Sequence, residues 1–193
     1  MGKPGRSVVR PAVRRAVFLD RDGTINRARV ERGRPYPPRS VDEFVFLPGA
    51  IEAIDRLHGA GFMTIVVTNQ PDVAIGKQRR DVVDQFHRLL LSRCKLDDIR
   101  VCFETDLSGS RCYKPRPGML EDAAAEHGID LASSYVVGDR WRDVGAARNA
   151  GCYAILIDCG YAEPERYVPH HRVASLAEAA DHILAREDSV EED

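Results

Sequence analysis

The 193-residue chain has no long hydrophobic run, no strong excess of charge of either sign, and no repeated or low-complexity segment. No apolar stretch approaches the roughly 20 residues of a membrane-spanning helix, and the N-terminal segment lacks the apolar core of a signal peptide. The formal net charge of -2 argues against general affinity for nucleic acid. We therefore expect a cytoplasmic protein that binds neither membrane nor nucleic acid. No heptad pattern or long apolar surface helix indicates the oligomeric state, and a monomer is the expectation.

What is present is typical of one α/β domain. Hydrophobic residues make up 44% of the chain, enough to bury the core of a single domain. Apolar runs alternate with amphipathic stretches, which predicts a Rossmann-like three-layer α/β/α sandwich with a mostly parallel sheet. The predicted strands are 16–19, 63–67, 99–103, 135–138 and 154–157, and the predicted helices are 48–57, 79–93, 117–126, 141–150 and 175–185.

Charged segments flank this domain, which we predict to span residues 15–186. Residues 1–14 hold a cluster of basic side chains and are predicted to form a flexible arm. Residues 187–193 are acidic and are predicted to be a frayed tail.

Two carboxylates follow the first predicted strand directly. Asp20 and Asp22 are separated by one residue, so in an extended chain their side chains point the same way. Two like charges this close disfavour joint ionisation unless a cation lies between them or one carries a proton. The pair suits a Mg²⁺-assisted carboxylate nucleophile with an acid/base carboxyl beside it. The alternative is an ordinary acidic Asp-Gly turn.

Further polar residues follow later strands or precede a helix, in a fixed order along the chain. Thr68 and Asn69 end the second strand, Lys114 precedes a helix, and Asp139 follows a later strand. This ordered set resembles the haloacid dehalogenase-like phosphatase superfamily over roughly residues 16–160, and implies its fold without a cap domain. The gaps 23–47 and 68–114, where a cap would be inserted, are too short to hold one.

The resemblance implies a role for each residue. Asp20 is expected to attack phosphorus and form an aspartyl-phosphate, and Asp22 to act as acid and then as base. Thr68 and Lys114 are expected to stabilise the phosphoryl oxygens. Mg²⁺ is expected on Asp20, Asp139 and the backbone carbonyl of Asp22.

Asp143, four residues after Asp139, has two interpretations of equal weight. It lies one helical turn from Asp139. It is therefore either a metal ligand or a residue that accepts a hydrogen bond from a ligand of the metal, or it is an acidic residue favoured by the dipole at a helix start.

Finer resemblance narrows the family. The segments Asp-Arg-Asp-Gly-Thr-Ile-Asn at 20–26, Thr-Asn-Gln at 68–70 and Lys-Pro-Arg-Pro-Gly-Met-Leu at 114–120 are similar to D-glycero-D-manno-heptose 1,7-bisphosphate 7-phosphatases and the related histidinol-phosphate phosphatases. This implies a small phosphorylated sugar as substrate, with release of the 7-phosphate. The expected substrate contacts are Asn26, Asn69, Gln70, Tyr113 and Arg140. Arginines of the predicted loop 27–38 are further candidates for a second phosphate.

The chain departs from that family at its zinc motif. Where the family has Cys-x-His and Cys-x-Cys, this chain has Cys102 and Glu104, then Ser110 and Cys112. A structural zinc site needs four cysteine or histidine ligands, so we predict no structural Zn²⁺. A disulfide between Cys102 and Cys112 is not expected in a cytoplasmic protein. The other cysteines, at 94, 152 and 159, are predicted to be small core residues.

Two more departures concern the substrate. Tyr113 stands where the family often has an arginine, and Pro71-Asp72 stands where Ser-Gly usually follows Thr-Asn-Gln. These changes leave other phosphoesters open as substrates, such as histidinol phosphate or a hexose phosphate. A phosphomutase, a nucleic-acid 3′-phosphatase and a non-catalytic phosphosugar-binding module are the remaining alternatives.

Overall fold

The computed structural model describes residues 14–191 and contains a six-stranded sheet, a two-stranded hairpin and six α-helices within that range. The strands are Ala16–Leu19 (β1), Arg29–Glu31 (β2), Arg34–Tyr36 (β3), Met63–Asn69 (β4), Asp98–Cys102 (β5), Tyr135–Gly138 (β6), Tyr153–Ile157 (β7) and His171–Val173 (β8). The helices are Ala50–Gly59 (α1), Pro71–Ala74 (α2), Arg80–Arg93 (α3), Gly118–His127 (α4), Trp141–Ala150 (α5) and Leu176–Glu191 (α6). The predicted strands and helices are all present, with shifts of one or two residues at their ends except for α6, which extends six residues further.

The large sheet is entirely parallel, with the strand order β5-β4-β1-β6-β7-β8. From β1 the chain builds β4 and β5 on one side, and then crosses to build β6, β7 and β8 on the other. The direction of winding therefore reverses at β1. In open α/β sheets, ligands bind outside the carboxyl ends of the strands that flank such a reversal. The topology therefore predicts a ligand site at the carboxyl ends of β1, β4 and β6.

Side chains of β1 alternate between two apolar clusters, one on each face of the sheet. Val17 and Leu19 pack in the cluster that includes α1, α3 and α6, whereas Ala16 and Phe18 pack in the cluster that includes α4 and α5. All four residues are fully buried, which explains why β1 is a continuous apolar run. The predicted three-layer α/β/α arrangement is confirmed.

The segment predicted as an arginine-rich loop folds into the β2–β3 hairpin. Its turn has Arg32 at φ 52° and Gly33 at φ 75°, a left-handed pair that matches the twist of a two-stranded ribbon. Each strand has only three residues, too few to show alternation in the sequence. The short strand β8 and the four-residue helix α2 were missed for the same reason.

The acidic C-terminal segment differs from its prediction. Helix α6 continues to Glu191, so residues 187–191 are helical and not a frayed tail. The carboxylate of Glu187 accepts a hydrogen bond of 2.5 Å from the Tyr135 hydroxyl and pairs with Arg15, which ties these turns to the sheet. The predicted basic arm lies outside the described residues except for Arg14. No helix in the described range is long and apolar enough to span a membrane.

The expectation for the cysteines also needs correction. Cys102, at the end of β5, is joined by a disulfide to Cys112, with 5.5 Å between their Cα atoms. The turn at residues 110–113 returns the chain to the end of β5, which sequence spacing alone did not indicate. Cys94 and Cys152 are buried as predicted, but Cys159 is exposed, because it lies just beyond the end of β7.

Candidate active site

Polar side chains from three strands and one loop meet at the carboxyl edge of the sheet. Asp20, Thr68 and Asp139 come from the ends of β1, β4 and β6, and Lys114 reaches them from the loop before α4. Asp20, Thr68 and Lys114 line a cavity of about 70 Å³, as does Asp143 on the first turn of α5. The polar residues predicted from their order along the chain therefore also lie close together in space.

Three carboxylates form the innermost part of this cluster. Asp20, Asp139 and Asp143 each place one oxygen within 4.8 Å of the others, and all three side chains are buried. Neither oxygen of Asp139 accepts a hydrogen bond of good geometry among the described residues, and the neighbouring Tyr161 hydroxyl lowers the pKa of Asp139 less than burial raises it. Buried carboxylates without donors are costly unless a cation or a proton joins them. Hard oxygen donors in this number suit Mg²⁺, so the residues present fit that metal.

Two glycines allow the carboxylates to come this close. A Cβ at Gly23 would lie 1.8 Å from Oδ2 of Asp139, and the φ of 93° there also disfavours any side chain. A Cβ at Gly138 would lie 2.3 Å from Cβ of Asp143. The Asp-Gly pair in the first motif therefore serves the acidic cluster and not only a turn.

Lys114 is the cation that the structure already holds at this cluster. Its Nζ donates to Oδ1 of Asp20 at 2.7 Å, to Oδ1 of Asp143 at 2.6 Å and to the carbonyl of Val67 at 2.7 Å. The two carboxylates raise the pKa of Lys114 despite its burial, so it stays charged. Asn69 holds the backbone of Lys114, since its side chain accepts from the Lys114 amide at 3.1 Å and donates to the Lys114 carbonyl at 3.2 Å.

One cation does not neutralise three carboxylates, and the pKa values reflect this. Burial raises the pKa of Asp20 from 3.8 to about 6, with Lys114 opposing and Asp143 adding to the rise. Burial, and then the charges of Asp20 and Asp143, raise the pKa of Asp139 well above its ordinary value. Without a further cation the cluster therefore tends to hold a proton. A divalent ion would displace it.

Asp22 has the opposite environment. Burial would raise its pKa, but the Arg21 charge and the hydrogen bonds from Arg21, Asn26 and Gln70 together outweigh this effect and lower the pKa. Arg21 grips both oxygens of Asp22, at 2.6 and 3.2 Å. Nδ2 of Asn26 lies 3.0 Å from Oδ1, and Nε2 of Gln70 lies 2.9 Å from Oδ2. Asp22 is thus a fixed anion beside the three-carboxylate cluster and is not part of it.

The predicted substrate contacts occupy different places. Asn69 and Arg140 line the catalytic cavity, whereas Gln70 and Tyr113 line a neighbouring cavity. Asn26 lines neither and is fully buried behind Asp22, so it positions Asp22 instead of facing substrate. Nε2 of Gln70 donates both to Oδ2 of Asp22 and to Oγ1 of Thr68, each at 2.9 Å. Gln70 therefore links the motif after β1 to the motif at the end of β4.

Sequence reasoning missed Arg21 altogether. It is the largest fully buried side chain in the described range, with its guanidinium against the Phe86 ring and 3.2 Å from Nε2 of His87. Burial and the Arg21 charge lower the pKa of His87 to about 4, so that ring is neutral near pH 7. The position of Arg21 between two aspartates was the available signal. A charged residue in a turn is expected to be exposed unless a buried partner for its charge is known.

Asp143 combines the two interpretations that the sequence left open. Its Oδ2 accepts from the backbone amide of Arg140 at 3.0 Å, which caps helix α5. Its Oδ1 faces Lys114, and it belongs to the three-carboxylate cluster. The helix start therefore holds this carboxylate in the site.

The zinc motif does not assemble as a thiolate site. A disulfide sulfur is not a thiolate ligand, so in this structure Cys102 and Cys112 do not offer two sulfur donors. Ser110 instead lies with Oγ 3.1 Å from Sγ of Cys112. The absence of structural zinc stays a prediction.

Comparison with known proteins gives concordant matches. Residues 111–179 match the profile of a family described as HAD-hydrolase-like. The chain is 36% identical over 149 residues to the D-glycero-beta-D-manno-heptose-1,7-bisphosphate 7-phosphatase of Bordetella bronchiseptica, covering 75% of this chain and 80% of that protein. It is 39% identical over 144 residues to the protein of the same name from Escherichia coli K12, covering 68% and 72%.

The fold matches a solved structure over nearly its whole length. The crystal structure of D,D-heptose 1.7-bisphosphate phosphatase from B. bronchiseptica, complexed with magnesium and phosphate, is similar with a TM-score of 0.72 and 31% sequence identity. The match covers 89% of this chain and 99% of that chain.

Proposed function

Because this chain belongs to the haloacid dehalogenase-like phosphatases, in the family of the D-glycero-D-manno-heptose 1,7-bisphosphate 7-phosphatases, we propose that it hydrolyses this bisphosphate and releases the 7-phosphate. It is a phosphoric monoester hydrolase, and the proposed reaction passes through an aspartyl-phosphate. The observation that carries the proposal is the cluster of Asp20, Thr68, Lys114 and Asp139 at the reversal point of the sheet.

Mg²⁺ is the proposed cofactor. Asp20, Asp139 and Asp143 would hold it together with the backbone carbonyl of Asp22, and the main support is that three buried carboxylates share one ammonium group. When bound, the ion neutralises charge on the phosphoryl group and on the attacking carboxylate.

In the first half-reaction, a carboxylate oxygen of Asp20 attacks phosphorus, and the bond from phosphorus to the sugar oxygen breaks. Lys114 holds the attacking carboxylate and stabilises charge on the phosphoryl oxygens, and Thr68 donates its hydroxyl to one of them. Asp22 gives a proton to the leaving sugar oxygen. The approaching phosphate charge raises the pKa of Asp22 and so favours the acid form that this step needs.

In the second half-reaction, Asp22 acts as the base. It takes a proton from a water molecule, whose oxygen attacks phosphorus and displaces Asp20 as a free carboxylate. The ion pair with Arg21 keeps the pKa of Asp22 low, which returns it to the anionic form between steps. The products are inorganic phosphate and the sugar 1-phosphate.

The test is phosphate release from a panel of esters, with Mg²⁺ and with EDTA. The panel holds heptose 1,7-bisphosphate, histidinol phosphate, hexose phosphates and a 3′-phosphorylated oligonucleotide. We expect Mg²⁺-dependent release from the heptose bisphosphate and its loss in Asp20→Asn, with Asp84→Asn as a matched surface control. Preference for another ester would contradict the proposed substrate but not the proposed mechanism. No release from any ester would favour a non-catalytic binding module.

A further inference from the structure

A second cavity, of about 390 Å³, adjoins the catalytic cavity, and the mechanism above does not use it. We call it the distal groove. The two cavities share residues 35–37, Asn69, Arg140 and Arg142. A substrate with its reacting phosphate at Asp20 therefore has a direct path into the distal groove.

The distal groove carries an excess of positive charge. Four guanidinium groups line it, and only two carboxylates oppose them: Arg34, Arg140, Arg142 and Arg166 against Asp72 and Glu163. Arg140 is committed to Glu163, since its Nε donates to that carboxylate at 3.0 Å and its Nη2 makes a second contact. Within the described residues, the other three arginines form no ion pair with either of these two carboxylates.

Arg142 is the best placed of these. It lines both cavities, and its guanidinium lies 5.6 Å from the Tyr113 ring centre and 4.4 Å from the Trp141 ring centre. These rings hold the planar group in position, since guanidinium stacks on aromatic faces. Its side chain is only 20% exposed, so a charge there acts with less screening than one on the surface.

The hydrogen bonding of Arg142 is incomplete. Within the described part of the chain it makes a single hydrogen bond, from Nη2 to Oδ2 of Asp106 at 3.1 Å, and its buried Nε has no acceptor. The Asp106 side chain is 52% exposed, and ion pairs to exposed partners contribute little. A phosphate dianion offers more acceptors than this one carboxylate, and a guanidinium can bind it through two parallel hydrogen bonds.

We propose that Arg142, held between Tyr113 and Trp141, binds the second phosphate of the substrate in the distal groove. The inference rests on the proposed function, because a second phosphate is present only if the substrate is a bisphosphate. Arg142 is then the residue that selects a bisphosphate over a monophosphate. Arg166, whose guanidinium lies 4.5 Å from the centre of the same Trp141 ring, adds positive charge to the groove.

The experiment compares wild type, Arg142→Ala, Arg142→Lys and Arg111→Ala in the full-length Mg²⁺-loaded protein. The kcat/KM is measured for heptose 1,7-bisphosphate and for heptose 7-phosphate. We expect wild type to prefer the bisphosphate and Arg142→Ala to lose about 10- to 100-fold of that preference, mainly through KM. Arg142→Lys should retain part of this preference, because lysine keeps the positive charge but cannot donate the two parallel hydrogen bonds of a guanidinium. Arg111 pairs with Glu121 and Asp122 away from the groove, so Arg111→Ala should keep the preference.

A second readout does not depend on turnover. Trp141 is the only tryptophan in the chain, so its fluorescence reports occupation of the distal groove. Titration with heptose 1-phosphate should give a saturable change, with about tenfold or weaker affinity in Arg142→Ala. Equal affinity in wild type and Arg142→Ala, or equal preference in both, would overturn the inference. Failure of the proposed function would give a different result, namely no phosphate release from either ester by wild type. In that case the fluorescence titration still tests whether Arg142 binds a phosphate in the distal groove.

Discussion

The ammonium group of Lys114 lies 2.6 Å from Oδ1 of Asp143, a carboxylate 29 residues further along the chain. The same ammonium group also binds Asp20, so it joins the loop before α4 to the first turn of α5 and to the end of β1. The charge of this lysine therefore stabilises the arrangement of the site in addition to its expected role in the reaction.

Replacing Lys114 by methionine should destabilise the metal-free protein. The change leaves Asp20 and Asp143 buried without their cation, and breaking a buried ion pair costs about 3–5 kcal/mol in the free energy of unfolding. Mg²⁺ should restore more stability to this variant than to wild type, because it supplies the missing positive charge. Urea unfolding with EDTA and with excess Mg²⁺ measures both effects. The exposed Lys77→Met is the control, and equal stability of the two variants would refute the prediction.

Replacing Arg21 by methionine should shift the pH profile of activity. Asp22 would then be buried without its guanidinium, so its pKa would rise and the rate of the step that needs the anion would fall at low pH. The loss of the buried pair should also lower the free energy of unfolding by about 3–5 kcal/mol. Arg21→Lys should show a smaller shift, and the exposed Arg88→Met none. Profiles of kcat against pH, which include the second half-reaction, check this, and an unchanged acidic limb in Arg21→Met would count against it.

The affinity for Mg²⁺ should rise with pH. The pKa of Asp20 is about 6 in the folded metal-free protein against 3.8 ordinarily, so between these values the folded state holds a proton that the unfolded chain has released. The free energy of unfolding of the metal-free protein therefore falls as pH rises through this interval. Mg²⁺ must displace the same proton, so it binds more tightly above about pH 6. Thermal unfolding with increasing Mg²⁺ at about pH 5 and about pH 7.5 measures this, and an equal Mg²⁺ response at both values would contradict it.

Reduction of the disulfide should destabilise the protein. Cys102 and Cys112 close a loop with a sequence separation of 10, for which loop-closure entropy predicts about 2–3 kcal/mol. Activity should also fall, because Cys112 lies two residues before Lys114. A reductant should lower the Tm of wild type and leave that of the Cys102→Ser, Cys112→Ser double variant unchanged. Cys159→Ser, at an exposed free cysteine, is the control. A Tm that does not respond to reductant would show that the bond does not contribute.

The main strands and the catalytic motifs were predictable because both follow from local rules. A parallel strand covered on both faces is a continuous apolar run. Polar residues that apolar packing does not explain end β4 and directly follow β1 and β6. The hairpin β2–β3 was missed because its three-residue strands carry no period. Arg21 was missed because a buried charge is recognised only through its partners.

The fold class and the order of the motifs could be predicted from the amino-acid sequence, since they depend on periodicity and on residues close together in the chain, and the resemblance of those motifs indicated the family. Three contacts became visible only in the folded chain: Asn26 hydrogen-bonds Asp22, Asp143 both caps a helix and binds Lys114, and Cys102 is bonded to Cys112. Folding also brings Arg142 beside Tyr113. Each of these outcomes is a contact between side chains whose distance and burial depend on how the whole sheet and its helices pack, which no local pattern encodes.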